Sequence, residues 1–266
     1  MKLENVLVTG AWGGMGRAMV KALAAEGVRV FALDIEVGEP QAGVIPIKAD
    51  ITSQESVKAA LDTVKDYTDS LSAIVHFAGI YMLDSLVEME PSSFRRIFDV
   101  NLYGVYLINR EFLPLLGKDS RILITTSELA DLDPLPFTGI YAVTKGALDK
   151  YAYSLAMELQ LIGVRVSVLR AGAVNTGMLG ASTKALERFC DKTEHYAFGA
   201  DRFKRVVDRV EARHIPPERL AGLAMKILAR RNPAFAYSIN RNPLLRIMGI
   251  LPKRMQMSVI RRILTK

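Results

Sequence analysis

Apolar, β-branched segments of strand length alternate along this chain with longer segments of helical periodicity. That alternation is typical of a parallel sheet whose strands are joined by crossover helices, and right-handed crossovers wind such a chain into a doubly wound α/β domain. Strands are predicted near residues 4–9, 28–34, 44–48, 72–77, 120–126, 164–170 and 234–238. Helices are predicted near residues 14–26, 53–66, 91–117, 139–162 and 216–231.

Length and composition favour one domain and a reducing compartment. The 266 residues, 50% of them hydrophobic, suffice for a large single core. The only cysteine, Cys190, excludes an intramolecular disulfide and a cysteine-based metal site. The first strand begins almost at Met1 and no run of 18 apolar residues occurs, which argues against secretion and membrane spanning. We expect a cytoplasmic protein.

Positive charge is concentrated at the end of the chain. The net charge is +7, but residues 219–266 hold eleven Lys or Arg and no Asp or Glu, which leaves −4 on residues 1–218. With no nucleic-acid motif and a mildly acidic body, nucleic acid is not expected as a partner.

We divide the chain into a catalytic domain at 1–241 and a basic tail at 242–266. Apolar and basic residues interleave at helical spacing before and after Pro252, which predicts two short amphipathic helices. Such helices can lie on an anionic membrane, or pack on the body or on a sister subunit. The sequence leaves these alternatives open.

A glycine-rich turn follows the first predicted strand. Residues 9–16 read Thr-Gly-Ala-Trp-Gly-Gly-Met-Gly, after the apolar run 6–8 and before a periodic helix. Gly10, Gly14 and Gly16 would let the backbone approach a pyrophosphate whose charge is met by the helix N-terminus. The turn therefore predicts a Rossmann-type dinucleotide site on a seven-stranded parallel sheet with helices on both faces.

The choice between the two nicotinamide dinucleotides depends on Asp34, which ends the second strand 18 residues after Gly16. A carboxylate there can accept hydrogen bonds from the adenosine ribose hydroxyls and would repel a 2′-phosphate. No basic residue follows at Ile35 or Glu36. We predict NAD as the cofactor in preference to NADP.

Tyr141 and Lys145 are spaced four apart on a predicted helix and so project from one face. Ser127 lies 14 residues earlier, at the end of the apolar run 122–126. Hydride transfer between an alcohol carbon and nicotinamide needs one group to exchange the hydroxyl proton and another to stabilise the developing oxyanion. A phenol beside an ammonium, with a serine nearby, could supply both. The Tyr-Lys pair by itself equally fits a surface helix with a lysine stem packed on a ring.

Taken together, the glycine turn, Ser127 and Tyr-x-x-x-Lys resemble the short-chain dehydrogenase/reductase family, over about residues 3–238. The resemblance implies that Tyr141 is the acid/base and that Lys145 lowers its pKa and holds the nicotinamide ribose. It also implies that Ser127 stabilises the substrate oxygen. Asn101, in Asp-Val-Asn-Leu-Tyr-Gly, matches the family residue that holds a water in the proton relay. A homodimer or homotetramer built through helices 91–117 and 139–162 is expected on the same ground.

Further cofactor contacts follow from the resemblance. Trp12 and Gly13 occupy loop positions where relatives that prefer NADP often place a basic residue. Asp50 and Ile51 match a pair that touches adenine, although Asp50 could instead cap the helix near Ser53. The predicted dinucleotide site comprises Gly10, Trp12, Gly13, Gly14, Met15, Gly16, Asp34, Asp50, Ile51, Ala78, Gly79, Tyr141, Lys145, Val174 and Thr176.

Two family motifs are altered in this chain. Ala78 and Gly79 match the end of Asn-Asn-Ala-Gly, with His76 and Phe77 in place of the two asparagines, which puts the local backbone geometry in question. Residues 170–176 resemble Pro-Gly-x-Val-x-Thr with alanine in place of proline. By the resemblance, the Val174 backbone and the Thr176 hydroxyl hold the nicotinamide carboxamide.

The residues expected around the substrate are mostly apolar. Bulky apolar side chains recur at 129–137, and Met178 and Leu179 open a polar insertion at 178–215 that is a candidate lid. They favour a lipophilic secondary alcohol or ketone, such as a hydroxysteroid, bile acid or long-chain compound, although apolar loops also fill cores and subunit contacts. Glu128 either faces solvent or meets a polar group of the substrate.

The three histidines lack metal-ligand spacing, so no metal site is predicted. An NAD-dependent oxidoreductase is the leading interpretation. The alternatives are a non-catalytic dinucleotide-binding sensor or scaffold, and a peripheral membrane protein of lipid metabolism.

Overall fold

A computed structural model of the chain describes residues 2–210 and 214–265, without the side chains of 178–182 and 208–210. Seven parallel strands form its central sheet, in the order β3-β2-β1-β4-β5-β6-β7. The strands are β1 Asn5–Thr9, β2 Arg29–Asp34, β3 Val44–Lys48, β4 Leu71–His76, β5 Leu116–Ser127, β6 Arg165–Ala171 and β7 Ala236–Ile239. The strand order reverses between β1 and β4, so the carboxyl ends of these strands open a crevice of the kind that binds ligands in doubly wound folds. The predicted fold class is confirmed.

Helices cover both faces of the sheet. They are α1 Gly14–Ala25, α2 Gln54–Lys65, α3 Pro91–Phe98, α4 Gly104–Phe112, α5 Gly139–Leu159, α6 Gly177–Lys192, α7 Ala200–Val210, α8 Pro217–Ala229, α9 Pro243–Ile250 and α10 Lys253–Thr265. Alternate residues of β1 enter the two cores, because successive strand side chains point to opposite faces. Val6 and Val8 pack with α1 and α8, whereas Leu7 packs with α2, α4 and α5.

The helix predicted at 91–117 is shorter and less regular than expected. A π-helical turn at Asp99–Tyr103 joins α3 to α4, which ends at Phe112. Pro114 lies in the 3-10 turn that follows. The α-helix does not continue through it because a proline lacks the backbone N–H for the next helical hydrogen bond. β5 therefore begins at Leu116, four residues before the strand predicted at 120–126.

The tail forms the two predicted helices, α9 and α10, on either side of Pro252, and both dock on the same chain. Leu245 is buried, and the Lys253 ammonium forms an ion pair with Asp133. Gln256 donates from Nε2 to the same carboxylate at 2.7 Å. Of the alternatives that the sequence leaves open, packing on the body is present in the structure.

The candidate lid contains α6 and α7. Phe189 and Phe203 of these helices bury their rings against Phe137, with centroids 4.3 and 4.9 Å away. Leu264 of α10 packs on the same cluster. Residues 211–213 of the predicted lid and the side chains of Met178 and Leu179 lie outside the described part of the chain.

Candidate active site

Loops that follow four parallel strands converge at the carboxyl edge of the sheet. They follow β4, β5, β6 and β7, and together with α5 they line one cavity of about 430 Å³. Parallel strands bring their carboxyl ends to one edge, so residues far apart in sequence meet there. The cavity is lined by Ser127, Tyr141 and Lys145, three of the four residues that the sequence singled out for chemistry.

Three glycines of the turn lie so close to neighbouring atoms that a Cβ would not fit. Gly10 has φ of +67°, and a Cβ there would lie 2.5 Å from the backbone nitrogen of Ala78. A Cβ on Gly16 would overlap the carbonyl oxygen of Gly10, and one on Gly14 would lie 2.7 Å from the Thr176 side chain. Gly13 has more room, since its Cβ would be 3.4 Å from the nearest atom. The turn and the unpaired N–H groups that begin α1 thus suit an approaching pyrophosphate.

Asp34 lies at the end of β2 and holds the glycine turn in place. Its Oδ2 accepts a hydrogen bond from the Trp12 backbone at 2.9 Å, and its Oδ1 accepts one from the Ile35 backbone at 2.8 Å. The indole of Trp12 packs on Gly38, where a Cβ would be only 2.5 Å from the ring. A partly exposed carboxylate next to the turn is suitably placed to bind ribose hydroxyls.

Asp50 and Ile51 occupy the turn after β3. The Oδ1 of Asp50 accepts from the backbone and hydroxyl of Thr52, at 2.8 and 2.7 Å, while Ser53 is the residue that caps α2. The Ile51 side chain is buried against Gly104. Asp50 thus stabilises the turn rather than capping the helix, and the predicted adenine contact stays a prediction.

The altered segment at the end of β4 keeps regular strand geometry at His76. His76 pairs in register with Thr9 on one side and with Ile124 on the other. Its imidazole is buried, which lowers its pKa to about 4, and its Nε2 lies 2.9 Å from the Asn109 carboxamide oxygen. A neutral histidine bonded to Asn109 therefore takes the place of the missing asparagines, and Ala78 and Gly79 follow it into the crevice.

Val174 and Thr176 lie in the loop between β6 and α6 and line the cavity. Val174 is held by a bridge to Ile215, whereas Thr176 faces Gly14 at the start of α1. The loop thus reaches from the cavity wall to the glycine turn, and the predicted contact with a nicotinamide carboxamide stays a prediction.

Tyr141 and Lys145 lie on successive turns of α5, beside Ser127 at the end of β5. The Tyr141 phenol is hydrogen-bonded to Ser127, and the Lys145 Nζ is 5.8 Å from the centre of the Tyr141 ring. The ammonium donates to the Thr125 carbonyl oxygen at 3.3 Å. The structure thus brings the three residues together at one wall of the cavity.

The pKa of Tyr141 differs from the expectation that Lys145 would lower it. Removal of the phenol from water raises its pKa to about 12, and the hydrogen bond with Ser127 acts in the opposite direction. Burial also lowers the pKa of Lys145 to about 8, because the charged ammonium is the form that loses solvation. In this structure burial therefore dominates, and the phenol is protonated at neutral pH.

Asn101 is fully buried in the π-helical turn. Its Oδ1 accepts from the Ile80 backbone at 2.8 Å, and its Nδ2 donates to the Ile80 carbonyl and to Thr144 Oγ1. Asn101 Oδ1 and Lys145 Nζ lie within 3.2 and 3.4 Å of the point that a Cβ on Gly79 would occupy. The carboxamide thus fixes the chain after β4 next to the lysine, while its predicted role in a proton relay stays a prediction.

Tyr81 and the segment that leads into the tail also line the cavity, although no motif marked them. The ring of Tyr81 lies 4.9 Å from that of Tyr141. Residues 240–245 form part of the wall. Leu129 and Leu135 of the apolar loop line it as expected, whereas Phe137 packs on the lid helices instead. The amphipathic pattern of the tail is the one sequence signal for a docking role, and it does not indicate the surface on which the tail docks.

An ion-pair cluster fixes the base of this wall. Arg170 of β6 binds Asp149 of α5 through Nε and Nη2, at 3.0 and 2.8 Å, and Asp131 through Nη1 at 3.0 Å. Asp131 also accepts from Arg241 at 2.9 Å, just before the tail. Bidentate pairing of this kind orients the groups as well as attracting them.

The described residues contain neither a metal-binding cluster nor a membrane-spanning helix. No group of three His, Cys, Asp or Glu side chains there could hold a metal ion, and His195 and His214 are exposed. No helix within 2–210 and 214–265 is long and apolar enough to cross a membrane.

Comparison with known proteins places these features in one family. The family model described as short chain dehydrogenase matches residues 4–187, more than half of the chain. The chain belongs to the short-chain dehydrogenase family. This dehydrogenase is therefore an oxidoreductase that acts on small molecules with NAD or NADP, and the glycine turn, Asp34 and the loop at 172–176 fit such a dinucleotide.

Individual relatives of the dehydrogenase differ in the substrate that their names give and in the share of each chain that aligns. The 3-ketodihydrosphingosine reductase of Bacteroides thetaiotaomicron is 24% identical over 249 residues, which are 93% of this chain and 91% of that protein. Estradiol 17-beta-dehydrogenase 2 of Mus musculus is 32% identical over 190 residues, 67% of this chain and 50% of that enzyme. The crystal structure of a short chain dehydrogenase family protein from Francisella tularensis superposes with a TM-score of 0.75 at 22% identity, covering 90% of this chain and 97% of that one.

Proposed function

We propose that the enzyme interconverts a lipophilic ketone and the corresponding secondary alcohol, using NAD. The hydroxysteroids, bile acids and long-chain alcohols are the candidate substrate classes. The observation that carries the proposal is the Tyr141 phenol, hydrogen-bonded to Ser127 and lying beside Lys145 in a cavity lined mostly by apolar side chains. When bound, the dinucleotide supplies a hydride acceptor or donor.

Tyr141 is the proton donor for ketone reduction in this proposal, and the acceptor for alcohol oxidation. A phenol with a pKa of about 12 is protonated at neutral pH, which suits donation to a ketone oxygen. The Ser127 hydroxyl donates a hydrogen bond to the same oxygen as negative charge develops on it. Lys145 holds the ribose of the dinucleotide and favours loss of the phenol proton, and Asn101 supports the relay that restores it.

NAD is preferred in the proposal because of the charge at the end of β2. Asp34 places a carboxylate next to the turn, and neither Ile35 nor Glu36 offers a cation to a 2′-phosphate. The single Cys190 fits a reducing, cytosolic setting.

The lipophilic substrate is inferred from the cavity wall. Phe77, Leu129, Leu135, Val174 and Leu245 all contribute apolar surface to it. The names of the Bacteroides and mouse relatives also denote action on lipophilic compounds, a sphingoid ketone and a steroid.

A substrate panel tests the proposed function. With NADH, long-chain ketones and ketosteroids should be reduced with kcat/KM at least about 100-fold above that for sugars, since each buried methylene contributes roughly 0.8 kcal/mol. The measurement is the loss of nicotinamide absorbance. A chain that binds the dinucleotide but reduces none of these compounds would support the non-catalytic sensor, and a preference for sugars would contradict a lipophilic substrate.

Peripheral membrane contact is the second proposed property, and the outer surface of the tail supports it. Ile247 and Ile250 of α9 are 60% and 82% exposed, and Arg254, Arg261 and Arg262 of α10 are exposed as well. The same tail has no acidic residue. Apolar side chains flanked by cations favour the surface of an anionic bilayer. This contact would bring the cavity wall at 243–245 near the lipid.

Vesicle binding tests this property without removing the tail, whose first residues line the cavity. The full-length protein should bind vesicles containing phosphatidylserine and not pure phosphatidylcholine, and added salt should weaken the binding. The double variant Ile247→Ser/Ile250→Ser should bind at least about tenfold more weakly, because two exposed apolar anchors are lost. Leu161→Ser is the matched control, since Leu161 is 83% exposed but lies after α5. Equal binding by all three proteins would contradict the tail contact.

Assembly into a homodimer or homotetramer is proposed through the helical face formed by α3, α4 and α5. Four large side chains on these helices and on the turn that joins α3 to α4 are each at least 40% exposed: Tyr103, Tyr106, Tyr153 and Met157. Large apolar side chains grouped on a surface are typical of subunit contacts.

A further inference from the structure

Glu128 is a carboxylate in the substrate cavity that the proposed chemistry does not use. It directly follows Ser127, and its residue is 8% exposed. It lines the same cavity as Tyr141 and Lys145. An acidic side chain is costly in an apolar cavity unless a partner compensates it.

The two oxygens of this carboxylate have different surroundings. Oε2 accepts a hydrogen bond of 2.6 Å from the backbone of Asn242, at the start of α9. Oε1 lies next to Gly172, 3.2 Å from the position of a Cβ there, and accepts no hydrogen bond from the residues that the structure describes. Gly172 begins the loop that carries Val174 and Thr176, so Oε1 lies beside the start of the loop that is expected to hold the nicotinamide.

The charged groups that the structure describes around Glu128 do not supply a hydrogen-bond donor to its Oε1. Arg241, which immediately precedes the tail, attracts the carboxylate, but its Nη2 is bound to Asp131, whose own charge opposes that attraction. Burial raises the pKa of Glu128 above its ordinary value, while the Asn242 backbone and Arg241 act in the opposite direction. A hydrogen-bond donor on a bound substrate would supply what is missing.

We infer that Glu128 is a specificity residue that accepts a hydrogen bond from an amine or hydroxyl group of the substrate, close to the carbon that reacts. This inference rests on the proposed function and narrows its substrate to a lipophilic ketone or alcohol with a donor group beside the reacting carbon. A plain aliphatic ketone of the same length leaves Oε1 without a donor, and a site built around a polar group discriminates against such an analogue.

Two ketones of equal chain length test the inference. The probes are 2-amino-1-hydroxyoctadecan-3-one, which carries donors beside the carbonyl, and octadecan-3-one, which lacks them. Wild type should reduce the first with the higher kcat/KM. Glu128→Gln should lower that preference by about 10- to 100-fold, mainly through KM, because a hydrogen bond to a charged group is lost.

Glutamine also separates recognition from a structural role. Its carboxamide oxygen can still accept from the Asn242 backbone, so the tail keeps its anchor while the charge is removed. If Glu128 only anchored the tail, Glu128→Gln would leave the preference unchanged, and Glu128→Ala would lower kcat/KM equally for both ketones. Glu88→Gln is the matched control, since Glu88 bonds Thr193 and the His195 backbone. It should not alter the preference.

A binding measurement distinguishes failure of this inference from failure of the proposed function. Calorimetry should show that wild type binds 2-aminooctadecane-1,3-diol at least about tenfold more tightly than octadecan-3-ol, and that Glu128→Gln removes the difference. That result without turnover would overturn the proposed function and support the role of Glu128. Turnover of both ketones with no preference, or a preference that Glu128→Gln leaves intact, would overturn the role of Glu128 alone.

Discussion

Replacing Tyr141 with phenylalanine is expected to lower kcat by about 10²- to 10⁴-fold, the range typical of a lost general acid or base. The variant removes the exchangeable proton and keeps the ring that packs on Tyr81. Dinucleotide affinity, measured by calorimetry, should change only a few-fold, because the phenol makes little of the proposed cofactor contact. Steady-state kinetics on the best ketone of the panel provide the measurement.

Tyr81→Phe is the matched control, since it removes a hydroxyl group from the same cavity. It should lower kcat by less than about tenfold, because no proton transfer depends on it. Equal losses in the two variants, or near wild-type turnover by Tyr141→Phe, would show that Tyr141 is not the acid/base.

The pH dependence follows from the same assignment. Because burial raises the pKa of Tyr141 to about 12, the phenol is protonated throughout the ordinary assay range. Oxidation requires that proton to leave, so the rate of alcohol oxidation by wild type should rise with pH. Reduction requires the protonated phenol and should not rise. Tyr141→Phe should lose the rise in its residual oxidation rate.

Asp34 is expected to produce the second large effect, on the choice of cofactor. Wild type should show kcat/KM for NAD at least about 100-fold above that for NADP, since a carboxylate that bonds ribose hydroxyls repels a 2′-phosphate. Asp34→Asn should reduce this ratio at least about tenfold, because the repulsion is lost while an oxygen remains for the Trp12 backbone. Kinetics with both cofactors provide the measurement.

Asp50→Asn is the control for this experiment. Asp50 lies in the neighbouring turn and is predicted to meet the adenine, which both cofactors share. Its variant should therefore alter both kcat/KM values alike and leave their ratio unchanged. A wild-type preference for NADP would contradict the assignment of Asp34.

Much of the fold and the candidate site was predictable because the relevant patterns are local. The alternation of apolar and amphipathic segments determines strands and helices within a few residues, and the seven predicted strands all occur. The spacing of Tyr141 and Lys145 places them on one helix face before any tertiary contact forms. Boundaries were less predictable, as Pro114 shows by ending the helical segment before the predicted limit at 117.

The charge state of the site was not predictable, because it depends on burial by distant segments. The sequence suggested a phenol made acidic by Lys145, whereas the folded protein raises the pKa of Tyr141 and lowers that of Lys145. Desolvation acts through every atom that excludes water, and those atoms come from all parts of the chain. The effect of replacing two asparagines by His76 and Phe77 was not predictable for the same reason. His76 is hydrogen-bonded to Asn109, which lies 33 residues away in the sequence.

The sequence by itself determined the sheet, the family and the order of the chemical groups along the chain, because each depends on residue type and short spacing. Only the tertiary structure decided that the tail docks on its own body and that Glu128 accepts a hydrogen bond from a residue 114 positions away. An amphipathic helix must bury its apolar face, but periodicity does not specify the surface that buries it. Packing makes that choice, and here it places the start of the tail in the wall of the catalytic cavity.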